Sequence, residues 1–457
     1  MTDNMRNQRA DFTMGNLWLN IWQLSWPMFL IMLLNFLVGI TDVYVAGLIN
    51  PRVQAAVGFI SQIYFFIIII ANAISIGTLA LISRSVGADD REAAVGFARQ
   101  SLLFSLFVAA LLTVPGLVFY REILMLSGFP EEIRTLSGEF LRIFSLSLGP
   151  NYVLIISNAI FRASGEVKKP MINMFIVSVI NIIGNFVLVL GIHPFPKMGA
   201  IGIAVATASS LTVGMIINLL FFTARPWRAV YMRGWNFSLP KIYQIIDIGW
   251  PAAMLQIAWN AGSIVLYNIL ARLGAASITA LASITNGYRI EAIIFLPAFA
   301  LNMSASVLIG QNLGAGNQER AEKLGWKITA MGSLLISIMA LMIFIPATEL
   351  SSLFSTDPSV IAETTRYLRI NMLSEPFMAL SVILAGALQG AGDTKGVMWI
   401  IIIAMWFIRL PLAFFLAVIM GYGAMGVWTA MITSMIIQGL LITRRFHKGR
   451  WKTIKFA

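Results

Sequence analysis

The sequence predicts an all-α polytopic membrane protein whose twelve transmembrane helices fall into two six-helix, pseudo-symmetric lobes. Three observations carry that prediction. The 457 residues are 58% hydrophobic and only 11% charged, with a mean hydropathy of +0.83, where a soluble domain carries about 25% charge. Apolar runs long enough to cross a bilayer, which takes roughly 20 residues, recur twelve times. Finally, short motifs of the first half return in the second half in the same order.

The runs lie at 18–48, 54–82, 95–120, 138–161, 170–192, 199–223, 243–273, 277–309, 325–347, 361–388, 396–420 and 424–443. They are called spans 1 to 12 below. Polar, Gly- or Pro-containing breaks separate them. Most of the 32 Lys and Arg residues fall at the N-terminus, in the loops that follow even-numbered spans, and in the tail RRFHKGRWKTIK. The opposite loops hold Arg52, Arg121, Arg134, Lys197 and Arg272. Basic residues concentrate on the cytoplasmic side, so both termini are expected there, in a bacterial or archaeal inner membrane. The net charge of +12 then meets lipid head groups rather than nucleic acid.

The repeat is read directly from the letters. Ser25-Trp26-Pro27 answers Gly249-Trp250-Pro251, and AAVGFIS (55–61) answers TALASIT (279–285), both 224 residues apart. LISRSVGADDREAA (81–94) answers LIGQNLGAGNQERA (308–321), FLRI (140–143) answers YLRI (367–370), and FRASGEVKKPM (161–171) answers LQGAGDTKGVM (388–398), all 227 apart. GAIG (199–202) answers GAMG (423–426). An even number of spans per repeat gives both halves one orientation, a parallel repeat about an axis along the membrane normal. The expected domains are 1–224, a cytoplasmic linker 225–241, a second lobe 242–443 and a basic tail 444–457.

Charged residues inside spans are rare and costly, about 2.5–3.5 kcal/mol each on insertion scales, so they mark pathways or partners. Span 1 holds one, Asp42, beyond a Pro27 that removes a backbone hydrogen bond and favours a bend. Asn181, Asn185 and Thr207 are positions that the family resemblance described below picks out, and as an independent check, at 1.5 Å per residue, they and Asp42 all lie about 10–15 Å from the outer ends of spans 1, 5 and 6. Asn181 and Asn185 are four apart and share a helix face. A carboxylate with amide and hydroxyl oxygens can take a proton or a hard cation such as sodium. The plain alternative is a static polar network joining three helices. In the second half, Arg289 and Glu291 interrupt span 8, Arg409 interrupts span 11 and Glu375 precedes Pro376 in span 10. Glu291 and Arg409 fall at similar depth, and an ion pair between them is expected.

Several classes are excluded. There is no cysteine, hence no disulfide or thiolate site, and the two histidines, His193 and His447, are far apart. GAGDTKG (390–396) lacks the phosphate-loop spacing and reads as a cytoplasmic turn. No enzyme motif appears, no cofactor is expected, and transport has to run on an ion gradient.

The paired motifs VGADDREAA/LGAGNQERA and RASGEVKKPM/LQGAGDTKGVM, with the early Trp-Pro and twelve spans, resemble the multidrug and toxic-compound extrusion (MATE) transporters of the MOP flippase superfamily. The resemblance covers essentially the whole chain. It implies the two-lobed MATE fold, a monomer, and export of organic, often cationic or aromatic compounds against proton or sodium flow. It also implies roles for Pro27 and Asp42 in span 1, Asn181 and Asn185 in span 5, and Ala206-Thr207 in span 6. This chain departs from the family in two places. Where one branch has a second Asp in span 5 it has Asn185, which favours protons over sodium. Where another branch has acids in spans 7 and 10 it has Trp259 and Met378. A lipid or lipid-linked oligosaccharide flippase is the alternative cargo, and a sodium-coupled exporter the alternative mechanism.

Overall fold

The computed structural model describes residues 12–126, 131–224, 226–232 and 236–454, and among these there is no strand. Parts of the expected linker (225 and 233–235) and of the tail (455–457), and the first eleven residues, lie outside the described residues. Among the described residues, eleven helices are long and apolar enough to cross a membrane, or twelve if one bent pair counts as a single span. Spans 1 to 6 are Leu17–Ile49, Pro51–Gly87, Arg91–Val118, Glu131–Ala163, Lys168–Leu190 and Ile201–Phe221. Spans 7 to 9 are Leu239–Ala271, Ser277–Gly314 and Gln318–Phe344. Span 10 is the bent pair, Pro358–Met372 and Glu375–Gly390, meeting at 54°. Span 11 runs over Thr394–Ile419 and span 12 over Gly423–His447.

Local chemistry explains where these helices start and stop. Span 2 opens on Asn50, whose side-chain oxygen accepts the Val53 N–H at 2.8 Å, with Pro51 in the first turn where its missing N–H is harmless. Asp90 caps span 3 through the Ala93 N–H at 2.9 Å, and Asp357 caps span 10 through the Ser359 N–H at 2.7 Å. Span 5 ends where Gly191 turns left-handed at φ 71°. The repeated turns 161–171 and 388–398 each carry an acid that fastens a neighbour. Glu166 accepts the Trp227 indole N–H at 2.9 Å and pairs with Lys169, and Asp393 takes the Arg445 fork with two bonds of 2.6 Å. Both segments are tight turns, as the glycine pattern requires.

By packing, the chain forms two compact units. One contains Leu30–Trp250 and the other contains Phe12–Phe29 with Pro251–Ala457. This differs from the expected boundaries 1–224 and 242–443. The division runs through spans 1 and 7 rather than through the linker, at or within three residues of Pro27 and Pro251. Proline removes an intrahelical hydrogen bond at each place, so each helix can leave one packing environment and enter another. In the second unit, the segment leading into span 1 is held by side chains of spans 8 and 9. Asn312 donates to the Phe12 carbonyl at 3.1 Å, and Arg320 to the Met14 and Gly15 carbonyls at 2.7 and 3.0 Å. In the first unit, the segment leading into span 7 is held by span 3: Gln100 donates to the Asn236 carbonyl and accepts the Ser238 N–H.

Glycine sets the closest helix approaches. A Cβ at Gly386 or Gly390 of span 10 would run into the backbone carbonyls of Asn302 and Ser306 on span 8. Backbone cannot give way as a side-chain tip does, and overpacking typically costs about 1–3 kcal/mol. Gly390→Ala is therefore expected to lower the melting temperature of the detergent-solubilised protein. Gly58→Ala, where nothing lies within 4 Å, is expected to leave it unchanged.

Candidate functional site

The structure brings Asp42, Asn181, Asn185 and Thr207 together in the first unit, from spans 1, 5 and 6. Two apolar clusters bracket the place. Ile31 and Leu34 of span 1 pack with Met174 and Val177 of span 5 on one side. On the other, Val45 and Ala46 share a cluster with Val189, Ile203 and Ala204. Gly184 lets span 6 in close, since a Cβ there would come within 3.1 Å of the Ala206 methyl. Between the clusters a string of hydrogen bonds runs from one helix to the next. The Asn185 amide donates to Asp42 Oδ1 at 2.6 Å and to Asn181 Oδ1 at 3.2 Å. The Asn181 amide donates in turn to Thr207 Oγ1 at 3.1 Å.

Asn181 and Asn185 are 0% exposed, whereas Asp42 and Thr207 are half-buried. The carboxylate therefore sits at the accessible end of a buried amide chain. The short bond to Asp42 is of the charge-assisted kind, roughly twice as strong as a neutral one. The chain leaves one atom over: Asn185 Oδ1 is buried with no hydrogen-bond partner. With the Asn185 amide donating to its Oδ1, the string is arranged for an ionised Asp42. A protonated carboxyl needs an acceptor instead, and the orphaned Oδ1 of Asn185, on the amide that already bonds Asp42, could turn to supply one. Protonation thus asks the amides of span 5 to rearrange relative to span 1. Pro27 lies 15 residues earlier, buried, inside the same helix.

The charged residues of the second unit are arranged differently from expectation. Glu291 and Arg409 are both buried, at 4% and 3% exposure, yet no ion pair joins them among the described residues. Glu291 Oε2 instead accepts the Tyr367 hydroxyl at 3.0 Å. Arg409 donates to Ser434 Oγ at 2.7 Å and lies over the Trp259 ring at 5.3 Å. Arg409 thus has a hydroxyl and an aromatic face as partners, while Glu291 has one hydroxyl and an Oε1 without a hydrogen-bond partner. Glu375 is buried at the bend of span 10, and Arg289 is exposed, outside this cluster. Tyr367 was not singled out by the sequence reading. The repeat held the clue: FLRI becomes YLRI, so the second half adds a hydroxyl where the first has Phe140. No group of three or more His, Cys, Asp or Glu able to hold a metal ion occurs among the described residues.

Comparison with known proteins agrees with this architecture. The MatE family model matches residues 27–187 and 251–415, one match per repeat, each beginning at the Pro of a Trp-Pro pair. A probable multidrug resistance protein NorM of Thermotoga maritima is 28% identical over 92% of this chain and 90% of its own length. An uncharacterized transporter, YisQ, of Bacillus subtilis is 26% identical over 94% of each chain. A crystal structure described as MATE in the bent conformation superposes with a TM-score of 0.87 at 20% identity, over 97% of this chain and 99% of that one. That last likeness establishes the fold. The sequence match to both repeats establishes the kinship: this chain belongs to the MatE family, and it is a multi-span membrane transporter rather than an enzyme.

Proposed function

We propose that the protein is a proton-coupled exporter of organic, often cationic or aromatic compounds, working by alternating access in the cytoplasmic membrane with both termini in the cytoplasm. The observation that carries the reading is the 2.6 Å bond from Asn185 to Asp42. It makes the one carboxylate of span 1 the terminus of a three-helix polar string. A proton entering from outside neutralises Asp42 and removes the charge that aligns the Asn185 amide. The string re-forms around a neutral carboxyl, span 1 moves about Pro27, and bound substrate is released outward. The proton then leaves on the cytoplasmic side and the cycle restarts. The relatives named as multidrug resistance proteins support the substrate class.

Sodium suits the site less well. A hard cation such as sodium wants several free oxygens around it. Here the Asn185 amide already occupies Asp42 Oδ1 and Asn181 Oδ1, and Asn185 contributes no charge. A proton needs only the single carboxylate. The expected outcome in everted vesicles containing the protein is ethidium transport under a proton gradient alone and none under a sodium gradient alone. Transport with sodium alone would replace the proton reading, and dye-independent lipid scrambling would favour a flippase.

A further inference from the structure

We propose that Arg320, together with Asn312, is a positioning residue: the two clamp the turn ahead of span 1 and so fix the direction of the half-helix that leads to Pro27. What the clamp does for export rests on the function proposed above; the clamp itself does not.

The turn comprises residues 12–16 and is left-handed at Gly15, with φ 77°. Its bonds run to backbone carbonyls, each of which has two lone pairs to offer. The Phe12 carbonyl accepts the Asn312 amide at 3.1 Å and the Asn20 amide at 3.3 Å. The Met14 carbonyl accepts the Arg320 guanidinium at 2.7 Å and the same Asn20 amide at 2.8 Å. Arg320 also reaches the Gly15 carbonyl at 3.0 Å. Asn20 lies in the first turn of span 1, so two carbonyls are shared between span 1 and the ends of spans 8 and 9. Planar peptide groups are stiff, and the turn passes on to span 1 the hold that Asn312 and Arg320 exert. Asn16 completes the junction by accepting the Trp18 N–H at 2.9 Å, and Lys327, further along span 9, lies over the Trp18 ring at 5.1 Å. All of these groups belong to the unit containing Phe12–Phe29 and Pro251–Ala457.

The base from which Arg320 reaches is itself held. Glu322 pairs with Lys452 of the tail at 2.6 Å. Trp326 meets Phe446 edge-on at 5.2 Å, and Phe446 stacks on the fully buried Trp451 at 4.7 Å. The segments before span 1 and after span 12 thus meet at the start of span 9.

The clamp gives a role to one copy of a paired motif. LIGQNLGAGNQERA supplies Asn312 and Arg320, whereas LISRSVGADDREAA has Ser85 and Ala93 at the equivalent places, 227 residues earlier. Ser85 turns back onto the Leu81 carbonyl at 2.9 Å, and the segment ahead of span 7 is held by the neutral Gln100 instead. Charged donors make the stronger hydrogen bonds, so the stronger hold falls on the helix that carries Asp42. Sharp changes of helix direction concentrate at proline. With its first half clamped, span 1 has a set angle at Pro27 from which the Asp42 half moves; with the clamp open, the first half swings and the angle is lost.

The chain has no cysteine, so Leu19→Cys and Leu48→Cys, both exposed on span 1, place two nitroxides either side of Pro27, about 43 Å apart along a straight helix. Pulsed EPR of the full chain in lipid vesicles is expected to give a narrow distance distribution. Arg320→Ala is expected to broaden it at least twofold. Arg320→Lys, whose ammonium lacks the fork that spans two carbonyls, is expected to give an intermediate width. Lys323→Ala, which removes only the exposed pair with Glu319, is expected to leave the width unchanged. In everted vesicles Arg320→Ala is expected to export ethidium at least tenfold more slowly, with Arg320→Lys in between, while the purified variants bind dye as the natural chain does. A width indifferent to Arg320→Ala, or natural export from a variant whose width has doubled, overturns the proposal. So does broadening shared by Lys323→Ala, or loss of dye binding along with export, since either marks a general loosening of the fold. The expected widths in a protein that exports no dye would sink the exporter reading and leave the clamp standing.

Discussion

Asp42→Asn is expected to abolish gradient-driven ethidium export, reducing it to the level of vesicles lacking the protein, while the protein still folds and binds dye. The substitution is nearly isosteric and leaves an oxygen to accept the Asn185 amide, so the string at 2.6 and 3.2 Å survives in form. What it removes is the titration. In the proposed cycle, charge on Asp42 gives two distinguishable states of the string, and a ligand shifts an equilibrium only through its different affinity for the two states. With an amide in place of the carboxyl, the proton has no differential affinity to offer. Energy-coupled efflux in everted vesicles, with dye binding to the purified protein as the control, checks this. Loss of binding as well would mean a folding defect, and the control identifies it. Full export by a protein with Asn at 42 would place the coupling elsewhere.

The second large effect is expected from Asn185→Asp. Two carboxylates would then face each other where one hydrogen bond of 2.6 Å now stands. Like charges that close cannot both stay ionised unless a cation or proton lies between them. The variant therefore offers a hard cation two negative charges beside the Asn181 and Thr207 oxygens, the donor set that the natural sequence withholds. Export driven by protons alone is expected to fall at neutral pH, because the pair holds its proton too firmly to release it inside. A sodium gradient, which is expected to leave the natural chain idle, is expected to restore export at least in part. Parallel vesicle assays with each gradient measure both effects. A variant still indifferent to sodium would show that charge count at this site does not decide the ion.

Much of this was legible in the letters. Long apolar runs have few structural options in a bilayer, so the spans follow from composition. The paired motifs fix the repeat without further information. The grouping of Asp42, Asn181, Asn185 and Thr207 came from the family resemblance and agreed with depth along three helices, since rise per residue converts sequence into height. Depth does not give azimuth, and there the reading ran out. Glu291 and Arg409 share a level in the membrane but bond to Tyr367 and Ser434 instead of to each other. The assignment of the first halves of spans 1 and 7 to opposite packing units was equally invisible, because it depends on which neighbours each half meets on either side of Pro27 and Pro251. The π segments of span 11 leave no mark in its sequence beyond Pro411. The break in span 10 was half visible, through Pro376, but its 54° angle was not.

Proton release on dye binding tests the central claim most directly. In a weakly buffered detergent solution of the purified protein, acid enough for Asp42 to be protonated, adding ethidium in the absence of any gradient is expected to acidify the medium in proportion to dye bound. Asp42→Asn is expected to bind the dye while releasing at least one proton fewer per molecule. Equal acidification by the natural protein and by Asp42→Asn would contradict the account.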